Sequence, residues 1–248
     1  MSLQSLGSAT VSTARSNLFE ASIKIAIVRQ AFLFVPLVFL LSSPVFAQGP
    51  VADWFPIHAG NRWIYAHETR DENGNGRAHL EIHSWKTEET VIGSWAVPEG
   101  TLFATRVRVV EGAPREGYRV GPDAAYLIRG DCLYASYGEA GWNQSTHQLT
   151  PDFRNGLSAG YLSPDFCFPL EVHKAWGARH SKDWQVQSAS ADQKTFHINN
   201  VSSYPGSGMT VDIWFERGVG IVREVEIHHG TIGEQQTRLI RFEPVPER

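Results

Sequence analysis

Past residue 60, apolar and polar residues alternate with a period of two, and helical spacing is scarce. In Thr101–Val110, Phe103, Thr105, Val107 and Val109 share one face, and Ala104, Arg106 and Arg108 share the other. In Met209–Glu216, Met209, Val211, Ile213 and Phe215 oppose Asp212 and Glu216. Further on, Ile221, Val225 and Ile227 oppose Glu224, Glu226 and His228. Successive strand residues point to opposite faces, so these patterns predict half-buried antiparallel strands. The Gly- and Asn-rich run Glu72–Gly76 predicts a hairpin between 61–70 and 78–86, and Arg217-Gly218 predicts another. Strands are also expected at 125–135, 181–188, 194–202 and 235–243. The total is about nine strands. A mainly β fold follows, a single curved antiparallel sheet or half-barrel, which limits free edges. Residues 138–180 have no clear period and read as an irregular excursion with room for a short hidden helix.

The first fifty residues obey a different rule. Ala31–Leu41 is an uninterrupted apolar run, preceded by Lys24 and Arg29 and followed by Ser-Ser-Pro-Val-Phe-Ala. It is shorter than the ~20 residues that a bilayer span needs. With the small side chains of Val45 and Ala47, it predicts a signal peptide cleaved after Ala47, and no transmembrane span in the mature chain. The Ser-rich stretch before Lys24 is atypical of such leaders. Translation starting near Leu18 or Val28 would give one of ordinary length. The domains are therefore a leader at 1–47 and one β-rich exported domain at 48–248.

Composition sharpens this picture. The 248-residue chain is 42% hydrophobic and carries a net charge of −4; removing the leader takes away Arg15, Lys24, Arg29 and Glu20 and shifts it to −6. That is too apolar for disorder and not basic enough to foresee a nucleic-acid partner. Cys132 and Cys167 both lie in the exported part, where an oxidising compartment favours a disulfide between them over two buried thiols.

Few motifs carry chemistry. Gly156-Leu-Ser158-Ala-Gly160 matches the G-x-S-x-G nucleophile elbow, but no strand precedes it and no helix pattern follows it, so a flexible Gly/Ser loop is the expectation. Asp71–Gly76 matches the start of a calcium loop but has Ile82 at the twelfth position, which favours a turn. His79 and His83 on a strand would sit about 13 Å apart, too far for one zinc ion, and His228 and His229 would face opposite ways. No metal and no cofactor are expected. Asn143-Gln-Ser and Asn200-Val-Ser are formal glycosylation sequons. The eight tryptophans all fall after residue 47. Of these, Trp63, Trp85, Trp176 and Trp214 are candidates to line a ligand surface, with packing in the core as the alternative. An internal echo joins Phe55-Pro-Ile…Trp63 to Phe168-Pro-Leu…Trp176, each reading as an entry into a strand.

Three segments resemble a family. Trp54-Phe-Pro-Ile-His-Ala-Gly-Asn-Arg-Trp-Ile-Tyr65, Val97-Pro-Glu-Gly-Thr-Leu-Phe103 and Trp214-Phe-Glu-Arg-Gly-Val-Gly-Ile-Val222 are similar to motifs of the TapB-like group of exported bacterial β-domain proteins of uncharacterised function. The resemblance spans 54–222. It implies an antiparallel β fold, a half-barrel among the options, in a periplasmic or surface protein, and it implies no substrate. Phe168–Trp176 fits the group's second F-P-L-x-x-G-x-x-W only loosely, with His173 in place of the glycine.

The leading functional expectation is a non-enzymatic envelope domain that binds a hydrophobic or amphiphilic ligand, such as a lipid, or an envelope protein. One alternative is a secreted hydrolase with a nonstandard site in 138–180, drawing on Ser158, His147, His173 or Asp165. The other is a structural module that pairs its strand edges with a partner.

Overall fold

A computed structural model describes residues 50–72, 80–114, 124–137, 141–178, 183–200, 208–228 and 233–246, all within the unit Phe46–Arg248. The expected leader and the expected turn at 73–76 lie outside the described residues. A short helix α1 (Pro50–Trp54) leads into strands β1 (Arg62–Glu72), β2 (Leu80–Val97), β3 (Gly100–Gly112), β4 (Ala124–Arg129) and β5 (Cys132–Tyr137). A compact insert follows, made of β6 (Trp142–Asn143), β7 (Gln148–Leu149) and helix α2 (Pro151–Ala159). The chain then runs through β8 (Phe166–Cys167), β9 (Ala175–Trp176), β10 (Trp184–Ala189), β11 (Thr195–Asn200), β12 (Met209–Glu216), β13 (Gly220–His228) and β14 (Gly233–Glu243).

The fold is mainly β. One antiparallel sheet of 12 strands runs in the order β8-β5-β4-β3-β2-β1-β14-β13-β12-β11-β10-β9 and curls into a nearly closed barrel. The expected nine strands are corrected to twelve for two physical reasons. Gly130, with φ +59°, turns the chain at Gly130-Asp131 and divides the single strand expected at 125–135 into the β4–β5 hairpin. The two-residue strands β8 and β9 pair onto β5 and β10 at the sheet edges, and so short a pairing leaves no periodicity to read. Sulfur atoms of Cys132 and Cys167 are bonded, tying β5 to β8 where the two residues are direct cross-strand partners. At the seam the indole of Trp176 donates to the carbonyl of Asp165 at 3.2 Å.

The Ser158 segment is a helix rather than a flexible loop. Thr150 caps α2 by accepting from the Phe153 amide at 3.3 Å, Pro151 occupies its first turn, and Gly160 ends it at φ +71°. Phe153 and Leu157, one turn apart, bury against Leu102, Ala104, Ala125 and Leu127 on the outside of β3 and β4. The second glycine of G-x-S-x-G is thus a helix stop, and Ser158 is exposed.

The internal echo corresponds to a shared geometry. The Gly60 amide bonds the Val91 carbonyl, the Val91 amide bonds the Asn61 carbonyl, and the Asn61 amide bonds the His58 carbonyl. His173, Val186, Lys174 and Glu171 repeat this arrangement bond for bond. Gly60 has φ +93° and His173 φ +72°, so the turn survives the replacement of glycine in the second copy. Each Phe-Pro wedge seats on a hairpin of the other half of the sheet. The Trp54 carbonyl accepts from Gly218 and the Trp63 indole donates to Val219, while the Phe168 amide donates to Asp131. Left-handed backbone costs a residue bearing a Cβ about 1 kcal/mol or more, partly offset by the entropy that glycine loses on folding. His173→Gly is expected to raise the unfolding free energy by about 0.5 kcal/mol, read from urea midpoints; destabilisation would show that the exposed imidazole makes a net contribution.

Around these wedges lies an aromatic core. Phe55, Trp63, Phe103, Phe166, Phe168 and Phe215 are each less than a tenth exposed and stack or tilt against one another at 5.0–6.2 Å with Tyr126. They fill one end of the barrel.

Candidate functional site

The other end of the barrel is lined by polar groups. Register places Tyr65, His67 and Thr69 of β1, Trp85, Thr87 and Glu89 of β2, and Thr237 of β14 on the inner face. His67 lies flat on Trp85 at 5.0 Å, and its two ring nitrogens reach the hydroxyls of Thr237 at 3.1 Å and Thr87 at 2.8 Å. Burial holds its pKa down to about 4, so this imidazole is neutral.

Glu224 joins them through a bulge. Phe215 pairs with Ile221 and Trp214 pairs with Arg223, so Val222 is an extra residue that reverses the phase of β13. Beyond it Glu224, paired with Ile213 and Thr237, faces inward, and Val225 and Ile227 share the outer face with Asp212 and Glu234. The bulge divides the apolar set expected on one face: Ile221 stays inward with Phe215 and packs on the core, whereas Val225 and Ile227 turn outward.

The interior acids sit in an environment that disfavours charge. Burial first, then the neighbouring Glu226 and Asp165, pushes Glu224 up to about 7. Burial pushes Asp165 up to about 6, although its carboxylate accepts from the Ala135 amide. Glu89 is raised by burial against the pull of the Thr105 and Tyr126 hydroxyls, and the Tyr126 hydroxyl donates to it at 3.5 Å. Tyr65 is raised well above the usual phenol range by burial and by Glu89 and Glu224. Glu89 and Glu224 lie on the inner face of the sheet and are half-buried by surface. Together these groups can hold a protonated carboxyl, a phenol and several hydroxyls beside an aromatic wall. That combination suits an apolar body with a hydrogen-bonding head.

The carboxyl gives a prediction. Glu224 is raised from 4.5 to about 7, so the folded state prefers the protonated form. Its contribution to stability is present below pH 4.5 and is lost as pH rises through 7. Glu224→Gln is expected to leave stability unchanged at pH 4 and to raise it by about 2–3 kcal/mol at pH 8, measured by urea denaturation at both values. An equal effect at both pH values would contradict the assignment.

The structure separates the other candidates. Ser158 is exposed on α2, and His173 is exposed at the second wedge turn. His147, at φ +52° in the β6–β7 turn, stacks on Trp95 at 4.0 Å. Asp165 sits at the interior seam, and no hydrogen bond joins any two of these four among the described residues. Trp63 and Trp176 are core residues whose indoles bond backbone carbonyls, and Trp85 is buried against His67. Trp214 is on the outer face, stacked with His197 at 4.7 Å and covered by the Arg223 guanidinium at 4.4 Å. Among the described residues no cluster of three or more His, Cys, Asp or Glu is arranged to hold a metal, and no helix is long and apolar enough to cross a membrane.

No family model matches the chain, and no curated protein does. Solved structures similar to it include three that are each 10% identical in sequence. One is a protein assigned as exported, with a YmcC-like fold, from Bacteroides fragilis, with a TM-score of 0.40 over 77% of this chain and 99% of its own. Another is a protein assigned as a lipoprotein from Parabacteroides distasonis, with a TM-score of 0.38 over 76% and 97%. The third is a domain from Vibrio parahaemolyticus assigned to outer-membrane lipoprotein sorting, with a TM-score of 0.24 over 76% and 87%.

Proposed function

We propose that this is an exported envelope protein, released from its leader after Ala47, that holds a hydrophobic or amphiphilic ligand inside its curled sheet and carries out no reaction on it. The apolar run at 31–41 with its flanking basic residues supports export, and the Cys132–Cys167 bond suits an oxidising compartment. The observation that carries the ligand reading is the placement of two half-buried acids, Glu89 and Glu224, on the inner face with Trp63 and Trp85, where burial holds both toward the protonated form. A buried acid costs stability even where a hydroxyl such as that of Tyr126 donates to it, which is expected where a ligand supplies a further donor.

The test is a titration of intrinsic tryptophan fluorescence with phospholipids, fatty acids and glycans, since Trp85 and Trp63 lie on the inner faces of β2 and β1. Saturable quenching by a lipid, weakened in Glu89→Gln, is the expected result. No saturable response to any lipid or glycan would overturn the reading.

A further inference from the structure

We propose that the outer face of β13, β14, β1, β2 and β3 docks on the head-group surface of an anionic lipid bilayer. Three successive cross-strand rows at one end of this face form the docking patch; the rows beyond carry Glu68, Arg70 and Glu234. Arg223, Arg238, Ala66, Lys86 and Glu111 form the first. Arg241, Ile64, Glu88 and Arg108 form the second, and Glu243, Arg62, Thr90 and Arg106 the third. Seven basic side chains thus meet three carboxylates, in a chain whose net charge is −4. Glu88 bridges Arg62 at 3.6 Å and Arg108 at 2.7 Å, Glu243 bridges Arg62 and Arg241, and Glu111 bridges Lys86; seven cations against three carboxylates leave the rows cationic overall.

One placement works against the isolated fold. Arg223 and Arg238 are direct cross-strand partners, and like charges at that spacing repel. An anionic partner removes the repulsion, and guanidinium groups grip phosphate oxygens in pairs. Two hollows border these rows, about 420 Å³ among Glu68, Arg70, Lys86, Glu111 and Arg238, reaching His67 and Trp85, and about 290 Å³ among Arg62, Glu88, Arg106 and Arg108.

Aliphatic side chains stand among the arginines. The register shifts by one residue between Lys86 and Thr87 on the β3 side and between Ile64 and Tyr65 on the β14 side. The extra residues are Val110 and Ile240, which are 46% and 48% exposed. Basic groups interleaved with protruding aliphatics favour a bilayer over a soluble polyanion, because the aliphatics gain only where there is hydrocarbon to enter. The basic rows point outward, so the docking proposal stands whether or not the interior holds a ligand.

The experiment is co-sedimentation of the full-length protein with phosphatidylcholine vesicles and with vesicles containing phosphatidylglycerol, at low and high salt. Preference for the anionic vesicles, lost at high salt, is expected. The double variant Arg106→Gln/Arg238→Gln removes two exposed charges and should lower anionic partitioning about tenfold or more. Val110→Ser/Ile240→Ser should weaken binding and keep the preference, while Arg129→Gln, exposed on β4 outside the rows, should match wild type. Every variant has the same residues 1–47, so the comparison isolates the face. Undiminished anionic binding in the arginine double variant, an equal loss in Arg129→Gln, or capture of an acidic protein without vesicle preference would overturn the proposal.

Discussion

Phe215→Ala is expected to lower the unfolding free energy by about 4 kcal/mol. The side chain is fully buried, and its ring lies 6.2 Å from Phe55, 5.1 Å from Phe166 and 5.4 Å from Phe168. It is the meeting point of the first wedge, the β8 edge and the second wedge. Truncating such a ring removes transfer energy and leaves a hole that cannot close, because its neighbours are pinned by other contacts. On one side Gly220, at φ +105°, brings the backbone so close to Phe55 that a Cβ there would sit 2.8 Å from its ring. Urea denaturation of wild type and variant would measure the loss. A change below about 1 kcal/mol would mean that the wedges collapse into the space.

Replacing Cys132 and Cys167 together by serine is expected to cost about 3–4 kcal/mol. The bond closes a loop with a sequence separation of 35 residues, and releasing it returns that closure entropy to the unfolded chain. The loop contains the whole insert with α2 and the β4-facing cluster, and it ends on an edge strand only two residues long. The double variant and the reduced wild type should unfold at the same urea midpoint. A reduced wild type that melts at the oxidised midpoint would show that Phe166 and Phe168 hold the edge unaided.

The sheet was legible from the sequence because alternation survives over stretches of β3, β12 and β13. The half-buried face of β12 was assigned correctly, since Val211–Ile213 contains no bulge, whereas β3 is buried on both faces at Leu102–Thr105, where α2 covers Leu102 and Ala104. Helix α2 escaped because only Phe153 and Leu157 mark its buried face, although Thr150-Pro151-Asp152 and Gly160 are a start and a stop that could have revealed it. The interior acids were hidden for a different reason. Glu89 adjoins Glu88 in a run polar on both faces, and nothing local says that Glu88 turns out to the arginines while Glu89 turns in. Glu224 looked like solvent-facing polarity because Val222 is a bulge known only from pairing with another strand. His173 was marked by the resemblance as an odd residue at a glycine position, and its positive φ explains the mark.

The exchanged wedges set the order in which the chain can finish. The Phe-Pro segment near residue 55 rests on the hairpin at 217–220, made only when some nine-tenths of the chain has been synthesised. A nascent chain that stops short of that hairpin leaves Trp54, Phe55 and Trp63 without their seat, and β1 without β14. The seat of the first wedge and the β1–β14 pairing therefore form only after the C-terminal strands have been made.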